Sequence, residues 1–350
     1  MKSTPVGDRY AVVYYGKLTS DILKLIRERG YDLWISSSAI RPPKDVVTIG
    51  YINTLGLPVR MLDWVKKNHP DWILYTKNGE PAKYWFKTAF MCNIAVESFQ
   101  DYLMDRIKDL VSRGFSGVFL DDIHEDPKWI GGPLYDTPVY DESKYGKWID
   151  AIVNFARRVK EELGITVIYN AGWSKPIPKL MEVVDGVMLE SHPGSWRGNL
   201  ENPEYYYREW DNIYEVSLVA QKYAKEDKIV IALSYGNTKG AELYTYAVTR
   251  LFDFYYWYAT PDLSKIVDAK VLKIRLGEPL AEYAKIDNIY YRIYERGLVA
   301  VNPSSRPCSI EVEVPWNRLY DLDGRSYSIN KRIKLNLSPE EGLVLLTYNV

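Results

Sequence analysis

The sequence predicts an α/β chain: a (β/α)8 TIM barrel over residues 1–285, followed by a small C-terminal all-β domain, a β-sandwich, over residues 286–350. Three observations predict it. Apolar runs suited to buried strands alternate with helical periodicities through the first part of the chain. From about Asn288 the texture changes to short strands separated by turn signals such as Glu295-Arg296-Gly297 and Asp323-Gly324. Two of the apolar runs, Gly117-Val118-Phe119-Leu120-Asp121-Asp122 and Gly186-Val187-Met188-Leu189-Glu190, end abruptly in acids. A buried unpaired charge is expensive, so strands that end this way deliver their carboxylates to solvent or ligand.

The elements follow in order. Tyr10 to Tyr15 reads as the first strand, and Asp21 to Arg29 as a helix with Ile22, Leu25 and Ile26 on one face. Tyr31 to Ile35 and Val46 to Tyr51 are the next strands, and Leu62 to Lys67 is helical. Trp72 to Pro81 contains Asn-Gly and reads as an excursion with a hairpin. In Phe99 to Arg113 the side chains Leu103, Ile107, Leu110 and Val111 form one stripe, and Gly114 stops that helix. The Asp-Asp strand follows, then a Pro- and Gly-rich loop from His124 to Ser143. Tyr145 to Leu163 is a helix, Thr166 to Asn170 a strand, Pro178 to Val184 a short helix and Gly186 to Glu190 a strand. A second long loop runs from Ser191 to Tyr207. Trp210 to Ala224 is helical, Lys228 to Ser234 is the seventh strand, and a helix from Ala241 leads to a weakly marked eighth element around Phe252 to Ala259. In the C-terminal part, Tyr290–Tyr294, Leu298–Asn302, Ser309–Val314 and Leu343–Tyr348 read as strands. An open doubly wound sheet is the rival architecture. No G-x-G-x-x-G follows the first strand, and Tyr15-Gly16-Lys17 makes no phosphate loop.

Composition narrows the functions. The 350 residues exceed the usual size of one core, and the 47% apolar content supports a globular interior. A net charge of -1 argues against nucleic acid and anionic membranes as partners. No apolar run approaches the roughly 20 residues that span a bilayer. The start Met1-Lys2-Ser3-Thr4-Pro5 has no apolar leader, which predicts a cytoplasmic protein, or a secreted one whose leader was removed. Cys92 and Cys308 read as two buried thiols, not a disulfide, and no Cys/His spacing fits zinc. Only Gln100 and Gln221 are glutamines, while Lys, Arg and Glu abound, a bias that suits a heat-stable protein.

Two strands that each release an acid at the C-terminal end predict paired-carboxylate chemistry at the mouth of a barrel. Glycosidases need one carboxyl kept protonated for the leaving oxygen and a second, ionised one as nucleophile or base. Asp121 and Glu190 are the candidates for that pair. Asp122 points to the opposite face of its strand and supports Asp121 or holds a substrate hydroxyl. Capping of the following loop by the Asp pair, and a salt bridge inside the barrel for Glu190, are the structural alternatives. Other strand ends are polar or aromatic: Tyr14, Tyr51, Asn53, Asn170, Trp173 and Tyr235 are candidate sugar-binding residues, as are His124 and His192, which follow the acidic ends. Asp121 or Asp122 with His124 and His192 would alternatively make a two-histidine, one-carboxylate site for a metal-dependent hydrolase or deacetylase. The main reading contains no metal. A non-catalytic, glycan-binding barrel is a third possibility.

The helix-strand unit from Asp101 through Arg113-Gly114-Phe115-Ser116-Gly117-Val118-Phe119-Leu120-Asp121-Asp122 resembles the Gly-Phe-Asp-Gly-Val-x-x-Asp-Asn/Asp signature of the endo-α-1,4-polygalactosaminidases (glycoside hydrolase family 114) and the related glycosyl-hydrolase-like barrels. Thr48–Asn53 is similar to that group's third strand and Val187–Glu190 to its sixth, and the resemblance runs from about Tyr10 to Tyr258. It implies a (β/α)8 barrel, no cofactor, an amino-sugar polysaccharide as substrate, and a catalytic pair at Asp121 and Glu190. Ser116 stands where the signature has Asp, and Asp122-Ile123-His124 replaces an Asn-Val-Asp-like continuation. The stretch from Arg292 to Pro303 resembles the β-sandwich attached to many glycoside hydrolases.

Overall fold

The computed structural model describes residues 4–84, 88–129 and 137–350. Eight strands form one sheet in strict chain order: β1 Ala11–Tyr14, β2 Leu33–Ser36, β3 Thr48–Asn53, β4 Gly117–Asp121, β5 Thr166–Gly172, β6 Gly186–Glu190, β7 Ile229–Tyr235 and β8 Tyr255–Ala259. The registers of β3 with β4, β4 with β5, and β7 with β8 are parallel. A parallel bridge from Tyr10 to Tyr256 brings the first strand against the last. The helices longer than one turn are α1 Ser20–Arg29, α2 Leu62–Asn68, α3 Glu97–Ser112, α4 Trp148–Leu163, α5 Trp210–Lys225 and α6 Lys239–Arg250, and a single turn, Pro178–Met181, stands where the short helix is expected. This is a (β/α)8 barrel, as the alternation predicts.

The reason lies in side chains that suit both faces of a covered strand. Val118, Phe119 and Leu120 are all buried, as are Val187, Met188 and Leu189. A Cβ on Gly117 would stand 2.3 Å from the Thr166 carbonyl oxygen, so β4 meets β5 at a spacing that only glycine permits. Helix ends are capped locally: Thr19 Oγ1 accepts from Ile22 N–H, and Thr238 Oγ1 from Ala241 N–H.

By contact the chain divides into two compact units, residues 1–34 with 189–350, and residues 35–188. The first contains the C-terminal antiparallel strands β9 Ala284–Ile286, β10 Ile289–Tyr294, β11 Gly297–Asn302, β12 Cys308–Glu313, β13 Arg318–Tyr320, β14 Ser326–Ser328, β15 Arg332–Leu337 and β16 Glu341–Leu346. They make a six-stranded sheet in the order β9-β10-β11-β16-β13-β14 and a separate β12–β15 pair. Ile289, Leu298, Ile310, Val312, Ile333 and Leu335 belong to one hydrophobic cluster fed by both sheets. Within the same unit Gly342 lies so close to α6 that a Cβ would stand 2.5 Å from the Leu243 carbonyl oxygen.

Three local expectations need correction. The helix expected from Tyr145 breaks at Gly146, whose φ is +75°, so that Glu142–Tyr145 is a separate turn ahead of α4. The loop expected from Ser191 to Tyr207 contains an antiparallel hairpin, Gly194–Gly198 with Pro203–Tyr207. The C-terminal reading missed β9, β13, β14 and β15. Residues 130–136 of the expected His124 to Ser143 loop lie outside the described residues. Cys92 and Cys308 are both free, as expected, but only Cys92 is buried; Cys308 is half-buried. Among the described residues no helix is long and apolar enough to cross a membrane.

Candidate active site

In the unit of residues 35–188, three neighbouring strand ends converge on Asp121. The parallel register sets Asn53 beside Asp121 and Leu120 beside Tyr169, so Tyr51 on β3 and Asn170 on β5 flank the acid from either side. The Tyr51 hydroxyl donates to Asp121 Oδ2 at 2.8 Å, and Asn170 Nδ2 donates to Oδ1 at 2.9 Å. Asn170 Oδ1 accepts the Gly172 N–H at 2.8 Å, which fixes the amide with its nitrogen toward the carboxylate. The half-buried Asp121 is thus held by one donor on each oxygen.

Asp122 leaves the strand with φ +61°, a left-handed conformation that Asp tolerates better than most side chains. Its Oδ2 accepts from Asn53 Nδ2, and Asn53 Oδ1 accepts from the buried Tyr84 hydroxyl at 3.4 Å. Burial, followed by the nearby Asp122, Cys92 and Asp121, pushes the Tyr84 phenol well above its usual range, so it stays a donor. His124 follows two residues later, and its carbonyl accepts from Trp148 Nε1 at 2.9 Å. Burial lowers the pKa of the His124 ring while the Asp121 charge pulls the other way. Trp173, just past β5, is 53% exposed.

In the unit of residues 1–34 with 189–350, Glu190 ends β6 and Tyr235 ends β7. The Tyr235 hydroxyl donates to Glu190 Oε1 at 2.8 Å. Ser191, the residue after the acid, has φ +59°. This repeats the arrangement at Asp121: a strand-terminal acid, a tyrosine donor from an element of the same sheet, and a left-handed residue that ends the strand. The hairpin missed by the sequence reading adds Trp196, whose ring meets Tyr235 edge-on at 6.4 Å and 74°. Its signal was present as the aromatic run Tyr205-Tyr206-Tyr207 paired across a turn with Gly194-Ser195-Trp196.

Of the expected sugar-binding residues, Tyr51, Asn53, Asn170 and Tyr235 hydrogen-bond to the acids, and Tyr14 and His192 have partners elsewhere. Tyr14 is 5% exposed and donates its hydroxyl to the Lys17 carbonyl at 3.0 Å. Tyr235 is buried against Glu190, which makes it a partner of the acid. His192 is 0% exposed, lies beside Phe254, and donates from Nε2 to Ser217 Oγ at 2.9 Å, while that serine donates to the Ile213 carbonyl. Its Nδ1 has no hydrogen-bond partner among the described residues. The positive φ of Ser191 breaks the period-two alternation of β6 and sends the imidazole toward α5. The metal alternative loses its second histidine by this burial. Among the described residues no group of three His, Cys, Asp or Glu is placed to hold a metal ion.

Burial lowers the pKa of His192 to about 3 from an ordinary 6.5, with the Arg208 charge acting in the same direction. The folded chain keeps the ring neutral while the unfolded chain takes a proton, so between about pH 6.5 and about pH 3 the unfolded state binds more protons. Stability should therefore fall as pH drops through that window and level off below it. Urea midpoints compared between wild type and His192→Leu should show a pH-dependent difference confined to that window. A constant difference would contradict the neutral buried ring.

The sequence model of a family described as "Hypothetical glycosyl hydrolase family 15" matches residues 52–298, which contain both acidic strand ends. Among solved structures, the chain is similar to the glycoside hydrolase domain of PelA from Pseudomonas aeruginosa, at 15% identity and a TM-score of 0.55 over 74% of this chain and 98% of that one. It is similar to the noncanonic maltogenic alpha-amylase AmyB from Thermotoga neapolitana at 9% identity and a TM-score of 0.58, over 98% of this chain and 99% of that one. A Nostoc punctiforme debranching enzyme aligns at 12% identity and a TM-score of 0.56, over 99% of both chains. At such identities these structures share the fold. No curated protein sequence matches the chain.

Proposed function

The chain belongs to the family described as hypothetical glycosyl hydrolase family 15, and from that premise we propose that it cleaves O-glycosidic bonds in a poly- or oligosaccharide with Asp121 and Glu190 as its working carboxylates. The observation that carries the reading is the repeated device: each acid closes a strand of the eight-stranded sheet and accepts a tyrosine hydrogen bond of 2.8 Å. Active sites of this fold gather at the C-terminal strand ends, and glycoside cleavage needs two acids in different protonation states.

Asp121 receives a neutral donor on each oxygen, which suits an ionised, acceptor-only carboxylate. We assign it the role of nucleophile or base toward the anomeric carbon. Glu190 is then the acid. Its proton passes to the glycosidic oxygen as the bond to the anomeric carbon breaks, Asp121 offsets the positive charge that develops there, and water completes the hydrolysis. Trp173 offers a flat apolar face for a sugar ring. The substrate class with most support is a galactosamine-containing polysaccharide, through the likeness of Gly114–Asp122 to the polygalactosaminidase signature.

Reducing-end release from an α-1,4-linked galactosamine polymer tests the reaction and the substrate together. Release by the wild type supports both, and release only from other polysaccharides keeps the reaction and replaces the sugar. Tyr51→Phe and Tyr235→Phe each remove one hydrogen bond to an acid while keeping the ring. Each should lower kcat by about 10–100-fold with the fold retained, the scale of a hydrogen bond to a charged group. Unchanged kcat in both would show that the tyrosines only fill space.

A further inference from the structure

The segments that follow β3 and β4 are long compared with ordinary barrel connections, and a short antiparallel ribbon joins them: Tyr75 pairs with Val139 and Thr76 with Pro138. Beside the ribbon lies a groove of about 600 Å3. Tyr75, Tyr140 and Tyr145 line it with phenol rings, and Asp71, Lys144 and Asn93 with polar groups, whereas Asp121 is not part of its lining. Lys144 Nζ stands 4.7 Å from the centroid of the Tyr145 ring.

Asn93 borders the groove as well. It is 3% exposed, its Oδ1 accepts from Ala95 N–H at 3.1 Å, and its amide NH2 group is a donor of the kind that holds a ligand hydroxyl. The far wall is tied to the acidic strand end. Tyr140 meets Trp148 edge-on at 5.1 Å, and Trp148 Nε1 donates to the carbonyl of His124, three residues past Asp121. Asp71 and Asp141 balance Lys77 and Lys144 along the lining, so the groove lacks the single-sign charge that an anionic ligand would need. Aromatic faces, hydrogen-bonding groups and balanced charge together fit a saccharide.

We propose that the groove between Pro70–Lys77 and Val139–Tyr145 is a second saccharide-binding site, which holds a stretch of polymer away from the bond that is cut. Its ligand class rests on the glycosidase reading. A chain long enough to fill both sites would be held by contacts that short oligomers lack, which favours action on long chains.

Native affinity electrophoresis of the full chain tests the proposal, with gels containing α-1,4-linked galactosamine polymer in its free-amine form, its N-acetylated form, or amylose. At least one polymer should retard the wild type. Tyr75→Ala/Tyr145→Ala should weaken that retardation about tenfold, the loss expected of two stacking faces. Tyr145→Ala alone, at a half-exposed side chain, gives the same reading should the double variant fail to fold. Equal retardation of wild type and variants, or retardation by none of the polymers, would overturn the proposal. Loss of the groove effect and loss of the catalytic reading are separable: retained hydrolysis in Asp121→Asn removes the latter and leaves the electrophoresis result standing.

Discussion

Asp121→Asn and Glu190→Gln should each lower polysaccharide hydrolysis by about 10²–10⁴-fold while the protein stays folded. The amides keep the size of the acids and still form hydrogen bonds, but they neither give up a proton at neutral pH nor carry the negative charge that faces the anomeric centre. Folding should survive for a reason visible at Asp121. The new amide oxygen can keep the Asn170 donor, and the new NH2 group can donate to the Tyr51 hydroxyl, which rotates to accept. Both contacts are kept with reversed polarity in one of them. Initial rates of reducing-end release, read beside thermal melts, separate loss of chemistry from loss of fold. Full activity in either variant would remove that residue from the pair.

Arg292→Ala should destabilise the chain by about 3–5 kcal/mol, the usual cost of removing one member of a buried ion pair. The Arg292 side chain is 2% exposed, and its Nη1 lies 2.8 Å from Asp253 Oδ1. The same guanidinium donates to the carbonyls of Leu251 and Ala281 and stands over the Tyr294 ring at 5.5 Å. Its removal leaves the Asp253 carboxylate with the Gln221 amide and, among the described residues, no ion-pair partner. Arg292→Met/Asp253→Asn should recover part of the loss, because neutralising both partners removes the uncompensated charge. Urea unfolding of the two variants checks this, and a double variant as unstable as the single one would assign the loss to packing around Tyr294.

The strands that carry the acids were legible because a parallel strand covered on both faces is a continuous apolar run, and Val118-Phe119-Leu120 and Val187-Met188-Leu189 are such runs with a carboxylate as the stop. β8 was harder: Tyr255-Tyr256-Trp257-Tyr258 is aromatic throughout, a composition that gives neither alternation nor an aliphatic run. The hairpin after Glu190 stayed hidden because Gly194–Gly198 and Asn199–Pro203 are rich in turn-forming and polar residues, and the apolar residues of its two strands are Trp and Tyr. The roles of His192 and Tyr14 were not readable for a different reason. Position at a strand end tells where a residue sits along the barrel, but one left-handed residue, Ser191, is enough to turn the next side chain from the strand end to the helix side. The tyrosine donors are intermediate cases. Tyr51 and Tyr235 were placed at strand ends from sequence, but their attachment to Asp121 and Glu190 depends on inter-strand register.

In the proposed reaction Asp121 and Glu190 act as one unit on the same glycosidic bond. The direct measurement is kcat/KM for wild type, Asp121→Asn, Glu190→Gln and the Asp121→Asn/Glu190→Gln double variant on one polysaccharide that the wild type hydrolyses. Residues that act as a unit are strongly non-additive, so the double variant should be no slower than the slower single variant. A double variant slowed by the product of the two single losses, or a single variant with wild-type turnover, would show that the two acids do not work on one bond together.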